Sequence, residues 1–123
     1  MDRYIDGFTK GYIECALFCG LHDGEGEELN GPDFTIANIP DESLACMIAA
    51  CERFQRENYE MLAQSGLSDD YAGHNFWLTR NRHGTGFWDR EGPEDVLNEL
   101  SVACEEWKEV YLYVADDGKV YLS

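Results

Sequence analysis

The sequence predicts an α+β fold: three helices with a roughly four-stranded antiparallel sheet built from two hairpins, in the order α-α-β-β-α-β-β. Three observations carry this. Three segments repeat apolar residues every three or four positions. Two tight-turn sequences, Asn81–Gly84 and Asp116–Lys119, each sit between short runs rich in aromatic or β-branched residues. The chain has 123 residues, 44% of them hydrophobic, which is enough for one core, so residues 1–123 are read as a single domain.

The first helix is expected over Tyr4–Leu21, where Ile5, Phe8, Tyr12, Ala16 and Cys19 share a face and Gly7 and Gly11 weaken the early turns. His22–Asn38, with its DGEGEELNGPD run, reads as a long acidic loop. The second helix opens at Pro40-Asp41, where early acids suit the helix dipole. Its apolar stripe of Leu44, Met47, Ile48, Cys51, Phe54, Tyr59 and Leu62 runs on to a stop at Gly66. Ser68-Asp69-Asp70 then begins a short turn or a helical turn.

Asn75–Asn81 reads as a strand, and Gly86–Arg90 as its hairpin partner. Pro93 begins the third helix, with Val96, Leu97, Leu100, Ala103, Cys104 and Trp107 on one face. Val110–Ala115 and Val120–Leu122 make the second hairpin. Alternation along these strands gives the sheet an aliphatic face, expected to pack on the third helix. Its other face bears Trp77, Trp88, Tyr111, Tyr113 and Tyr121, either covered by the first two helices or open as a platform.

Twenty-five acids against nine Lys and Arg give a formal net charge of −16. Such a surface repels nucleic acid and anionic membranes and attracts basic protein surfaces. No apolar run approaches the ~20 residues that span a bilayer, and MDRYIDGFTK lacks the apolar stretch of a secretory signal. Five cysteines, an odd number with no CxxC pair, point to free thiols in a reducing cytoplasm. Cys15 and Cys19, four apart among apolar neighbours, read as small core residues, with a metal or redox pair as the alternative.

One segment departs from the acidic pattern. HNFWLTRNRHGTGFWDR, residues 74–90, holds Arg80, Arg82 and Arg90 against Asp89 alone, together with His74, His83, Trp77, Trp88 and a Gly84-x-Gly86 pair. The planar fork of arginine suits carboxylate or phosphate. One reading is therefore a small anion or nucleotide held by Arg80, Arg82 and His83 near the glycine turn, with His74, Trp77, Trp88 and Asp89 completing the candidate site. The structural reading has the arginines pairing with acidic helices and the tryptophans filling the core. His83 beside Asp89 has the composition of an acid–base pair, but no specific catalytic motif is present, and no His/Asp spacing matches a zinc pattern. No catalytic residue, metal or cofactor is assigned. Arg80 shares a side with Phe76 and Leu78 and is expected half-buried. Arg82 and His83 are expected on the exposed turn, contributing little to stability.

The run GHNFWLTRNRHGTGFWDR followed by EVYLYVADDGKVY, and KGYIECALF followed by IPDESLACMIAACERFQREN, resemble a family of small acidic proteins encoded by bacteriophages, prophages and plasmids. The resemblance covers nearly the whole chain, and its most specific part is Phe76–Asn81 with His83-Gly84 and Gly86–Asp89. It departs at Arg82, where a smaller residue such as Gly is expected in similar proteins. It implies a mobile-element source and a bacterial cytoplasm, and carries over no catalytic residue. It also implies that a host protein is a plausible target, since small acidic proteins of such elements often inhibit host proteins, some by imitating the charge of DNA.

The function expected is therefore that of a non-enzymatic accessory protein that binds and inhibits a host protein with a basic surface, such as a nucleic-acid-binding defence protein. Glu25, Glu27, Glu28, Glu52, Glu57, Glu60, Glu105 and Glu106 would form its partner surface. The alternative is a small-ligand binder using residues 74–90.

Overall fold

The computed structural model describes residues 4–19, 21–22 and 34–123. Helix α1 spans Gly7–Cys19 and is followed by the two-residue strand β1, Leu21–His22. A 3-10 turn at Ile36–Asn38 leads into α2 (Asp41–Glu57), α3 (Tyr59–Ser65) and α4 (Asp69–Arg80). A second 3-10 turn, Phe87–Asp89, precedes α5 (Glu94–Ala103) and the strands β2 (Leu112–Val114) and β3 (Val120–Leu122).

This corrects the expected architecture. The described residues form five helices, and their only antiparallel strand pair is β2–β3, registered Leu112↔Leu122, Tyr113↔Tyr121 and Val114↔Val120. Strand β1 adds to β2 in parallel, giving the order β1-β2-β3. The expected four-stranded sheet fails because its first hairpin does not exist: Asn75–Asn81 lies in α4 and the turn that follows it, and Gly86–Arg90 is a 3-10 turn and its flanks. Helix α4 is buried along Ala72, Gly73 and every residue from Asn75 to Arg80. A helix enclosed on all sides needs no polar face, so its sequence carries no helical period, and its aromatic and β-branched residues imitate a strand.

The local reasons for the other elements are plain. Asp6 caps α1, its Oδ1 accepting from the Thr9 amide at 2.8 Å and its Oδ2 from Gln55 Nε2 at 3.1 Å. Burial pushes the Asp6 carboxyl up, but the hydrogen bonds from Thr9 and Gln55 together outweigh it and hold the group below its ordinary value. The expected second helix is two helices, separated at Asn58, whose Nδ2 bonds the Phe54 carbonyl at 2.9 Å. Gly66, at φ 76°, ends α3 in the left-handed conformation.

Helices α1 and α4 cross with their backbones in contact. A Cβ at Gly11 would lie 1.9 Å from the Asp70 carbonyl oxygen, and one at Gly73 would lie 1.8 Å from that of Phe8. The glycine read as a weak point of α1 is thus what lets α4 approach. Around the crossing sits an aromatic core centred on Phe76. Its ring stacks on Phe54 at 4.1 Å and on Tyr12 at 5.2 Å, and meets the edge of Trp107 at 5.0 Å.

The hairpin β2–β3 turns through Asp116–Lys119, as its sequence predicts, with Gly118 at φ 80°. Its aliphatic side faces the core through Leu112 and Val120, and β3 packs on α2, where the Leu122 amide donates to Ser43 Oγ at 3.1 Å. Helix α2 is a contact of that hairpin that the sequence does not predict. The expected aromatic face is reduced to its tyrosines, with Tyr113 stacked on Tyr121 at 5.8 Å, because Trp77 lies inside α4 and Trp88 in the turn before α5.

Candidate functional site

Residues 74–90 divide between the inside of the molecule and its surface. Trp77 is fully buried, its ring edge-on to Tyr12 at 5.2 Å and its indole N–H without an acceptor among the described residues. Arg80 is also buried, with only 6% of its surface exposed. Its Nε donates to the Lys108 carbonyl at 3.0 Å, its Nη2 reaches the same oxygen, and its Nη1 donates to the Tyr12 hydroxyl at 3.2 Å. No carboxylate pairs with it among the described residues. The guanidinium lies instead 5.1 Å from the Trp107 ring and 5.8 Å from Phe76. Burial pushes the Tyr12 hydroxyl well above its ordinary value, against the pull of Arg80.

Arg82 lies two residues on, at φ 53°, the only non-glycine in the left-handed region among the described residues. Its amide bonds the Thr79 carbonyl and that of His83 bonds Leu78, the paired pattern that closes a helix, with arginine in the position glycine usually fills. The side chain lies on the surface, as expected, but it is not idle. Nη1 donates to the carbonyls of Arg80 and Trp107, the latter at 3.0 Å, and Nη2 donates to that of Glu105 at 3.1 Å. Nε is 3.6 Å from the Glu109 carboxylate. Between the two arginines, Asn81 Oδ1 accepts from the Val110 amide at 2.7 Å. Arg80, Asn81 and Arg82 thus form a clasp that holds the segment 105–110 against the end of α4. The expectation that Arg82 matters little for stability is corrected on this ground.

The remaining residues are scattered. His74 faces a cleft of about 300 Å3 near the start of α4, beside Cys15 and Phe18, and stacks on Tyr71 at 5.8 Å. Burial pushes its imidazole below the ordinary value; nearby Arg90 adds to this and Asp70 opposes it. Arg90 donates from Nε to Asn75 Oδ1 at 2.7 Å and lies over the Tyr71 ring. His83 and Asp89 are both exposed, and no hydrogen bond joins them. Trp88 is exposed at a second cleft, of about 380 Å3, which it shares with Thr79, Arg82, Gly84, Ser101 and Glu105. Of the predicted set, Arg82 and Trp88 line one cleft. No cluster of three or more His, Cys, Asp or Glu suited to a metal is present among the described residues.

The acidic set is partly in view. Glu52, Glu57, Glu60, Glu105 and Glu106 are exposed, whereas Glu25, Glu27 and Glu28 fall outside the described residues. Arg53 bridges Glu57 at 3.2 Å and Glu106 at 3.1 Å, tying α2 to the 105–110 segment, and stacks over Trp107 at 4.4 Å. The five cysteines are free, with Cys15, Cys51 and Cys104 buried. Sequence reasoning missed Tyr12, Asn75, Asn81 and the carbonyls of 105–108, because their importance lies in partners that only the fold brings together: the Arg80 and Arg90 side chains for Tyr12 and Asn75, and remote backbone groups for the rest.

No helix of the described residues is long and apolar enough to cross a membrane. Comparison with protein-family models, curated proteins and solved structures finds no match.

Proposed function

We propose that the chain is a non-enzymatic interaction protein that docks its carboxylate surface on a basic host protein, in place of the nucleic acid that protein would bind. The observation that carries this reading is an asymmetry of charge. Every acid among the described residues is exposed except Asp6, which is half-buried. Of the described arginines, Arg80 is buried, Arg53 and Arg82 are ion-paired at the surface, Arg90 is bonded to Asn75, and Arg56 is exposed. A partner therefore meets carboxylates. They are densest along α5 and beyond it, where Glu94, Asp95, Glu99, Glu105, Glu106 and Glu109 are all exposed, with Glu60 on the adjacent α3. A groove built to take phosphates attracts such a surface.

The mobile-element source and the bacterial cytoplasm belong to this reading through the resemblance carried by Phe76–Asn81. The small-anion alternative has less support, since the donors of Arg80 and Arg82 are occupied by carbonyls, a hydroxyl and Glu109.

The test compares the native chain with a Glu60→Lys, Glu99→Lys, Glu105→Lys variant as bait in nuclease-treated bacterial lysate. The native chain is expected to retain a nucleic-acid-binding protein that salt or added duplex DNA releases, and the variant is expected to lose it. Retention that survives both salt and charge reversal would sink the reading. A nucleotide co-purifying with the chain would favour the alternative.

A further inference from the structure

A cleft of about 440 Å3 runs along the outer side of α1, between that helix and residues 34–36. Ile5, Ile13, Leu17, Phe18, Phe34 and Ile36 line it, and the exposed Lys10 and Glu14 border it. Phe18 is 72% exposed, whereas Phe8, Phe54, Phe76 and Phe87 are buried. An aromatic ring left in water over an apolar cleft marks a contact surface.

We propose that this face of α1 binds a second copy of the chain, with the two α1 helices antiparallel across a two-fold axis. The charges select that occupant. A two-fold interface places the same patch on both sides. Lys10 and Glu14 lie one turn apart, and neither has an ion-pair partner among the described residues. Antiparallel apposition sets Lys10 of each copy opposite Glu14 of the other, so both charges are matched at once. An anionic ligand would match Lys10 and leave Glu14 facing it, and a cationic ligand would do the reverse.

The same register sets each Phe18 opposite Asp6 of the other copy, next to Ile5, which lines the cleft.

Pairing of this kind opposes the net charge of −16 and is helped by salt, which screens repulsion between the copies. Docking through the carboxylate surface is weakened by salt, so failure of the one is distinguishable from failure of the other. Sedimentation velocity of the full chain is run at about 10–200 μM in ~0.05 M and ~0.5 M NaCl. The mass is expected to rise from 14.0 kDa toward twice that value, more so at the higher salt. Phe18→Glu, at an exposed position, is expected to weaken association by about tenfold or more with an unchanged circular dichroism spectrum. Lys10→Glu and Glu14→Lys are each expected to weaken self-association, and an equimolar mixture of the two is expected to restore it, because each supplies the charges the other lacks. A monomer under all conditions overturns the proposal. So does a dimer that Phe18→Glu leaves intact, or charge variants that fail to complement each other. A monomer whose cleft takes up a hydrophobic fluorescent dye overturns it in favour of a ligand cleft.

Discussion

Arg80 and Arg82 hold the same stretch of chain by different means. Arg80 is a cation enclosed among a carbonyl, a hydroxyl and two aromatic faces, so truncating it strips charged hydrogen bonds and opens space in the core. Arg80→Ala is expected to cost about 2–4 kcal/mol in urea unfolding. Arg82 carries a backbone conformation that disfavours a side chain, offset by three hydrogen bonds and one ion pair from its guanidinium. Arg82→Ala loses the bonds and keeps the backbone cost; Arg82→Gly loses both. The glycine variant should therefore be the more stable of the two by about 1 kcal/mol, measured the same way. Equal stabilities would mean that the left-handed residue bears no strain. His74 offers a check on electrostatics. Its folded value lies below the ordinary 6.5, so the neutral ring favours folding above that pH, and this contribution is lost as pH falls through the folded value. Proton NMR should find its midpoint below 6.5, moving upward in Arg90→Gln as a neighbouring positive charge is removed.

At the scale of elements, the α1–α4 crossing is the least forgiving contact. Gly11→Ala would drive a methyl into the Asp70 carbonyl and is expected to cost about 3 kcal/mol or more in thermal unfolding, while Gly7→Ala should stay within about 0.5 kcal/mol. Comparable losses at both positions would refute the close approach. The elements with one wet side were legible in the sequence. Helices α2 and α5 show apolar stripes because their outer faces carry charge, and the β2–β3 hairpin shows alternation and a glycine turn. Helix α4 was not legible, since enclosure removed its polar face. Even so, the turn at Asn81–Gly84 was correctly seen. It closes a helix rather than joining two strands, and a local turn signal does not distinguish these uses. The exposure of the acids was also legible, because an unpaired carboxylate is too costly to bury. The clasp was not, since backbone carbonyls more than twenty residues away leave no mark in side-chain chemistry.

At the scale of the whole molecule, the charge that would serve binding strains the fold. Like charges crowd the surface, and bringing them together on folding is unfavourable at low ionic strength. Raising NaCl from ~0.01 to ~0.5 M is expected to add about 1 kcal/mol of stability, read as a rise of a few degrees in Tm. A Tm that falls with salt would mean that the ion pairs of Arg53 and Arg82 outweigh the repulsion.

The crossing of α1 on α4 also imposes a schedule. Helix α1 is synthesised before the surface it packs on, which follows roughly sixty residues later, and at ~5–20 residues per second its buried face waits several seconds for cover. Strand β1 waits longer still for β2. During that interval Phe8, Tyr12, Ile13 and Leu17 are a sticky stretch on a nascent chain, open to whatever chaperone meets it first, and synonymous changes that alter the pace of translation through α2 and α3 would set how long that exposure lasts.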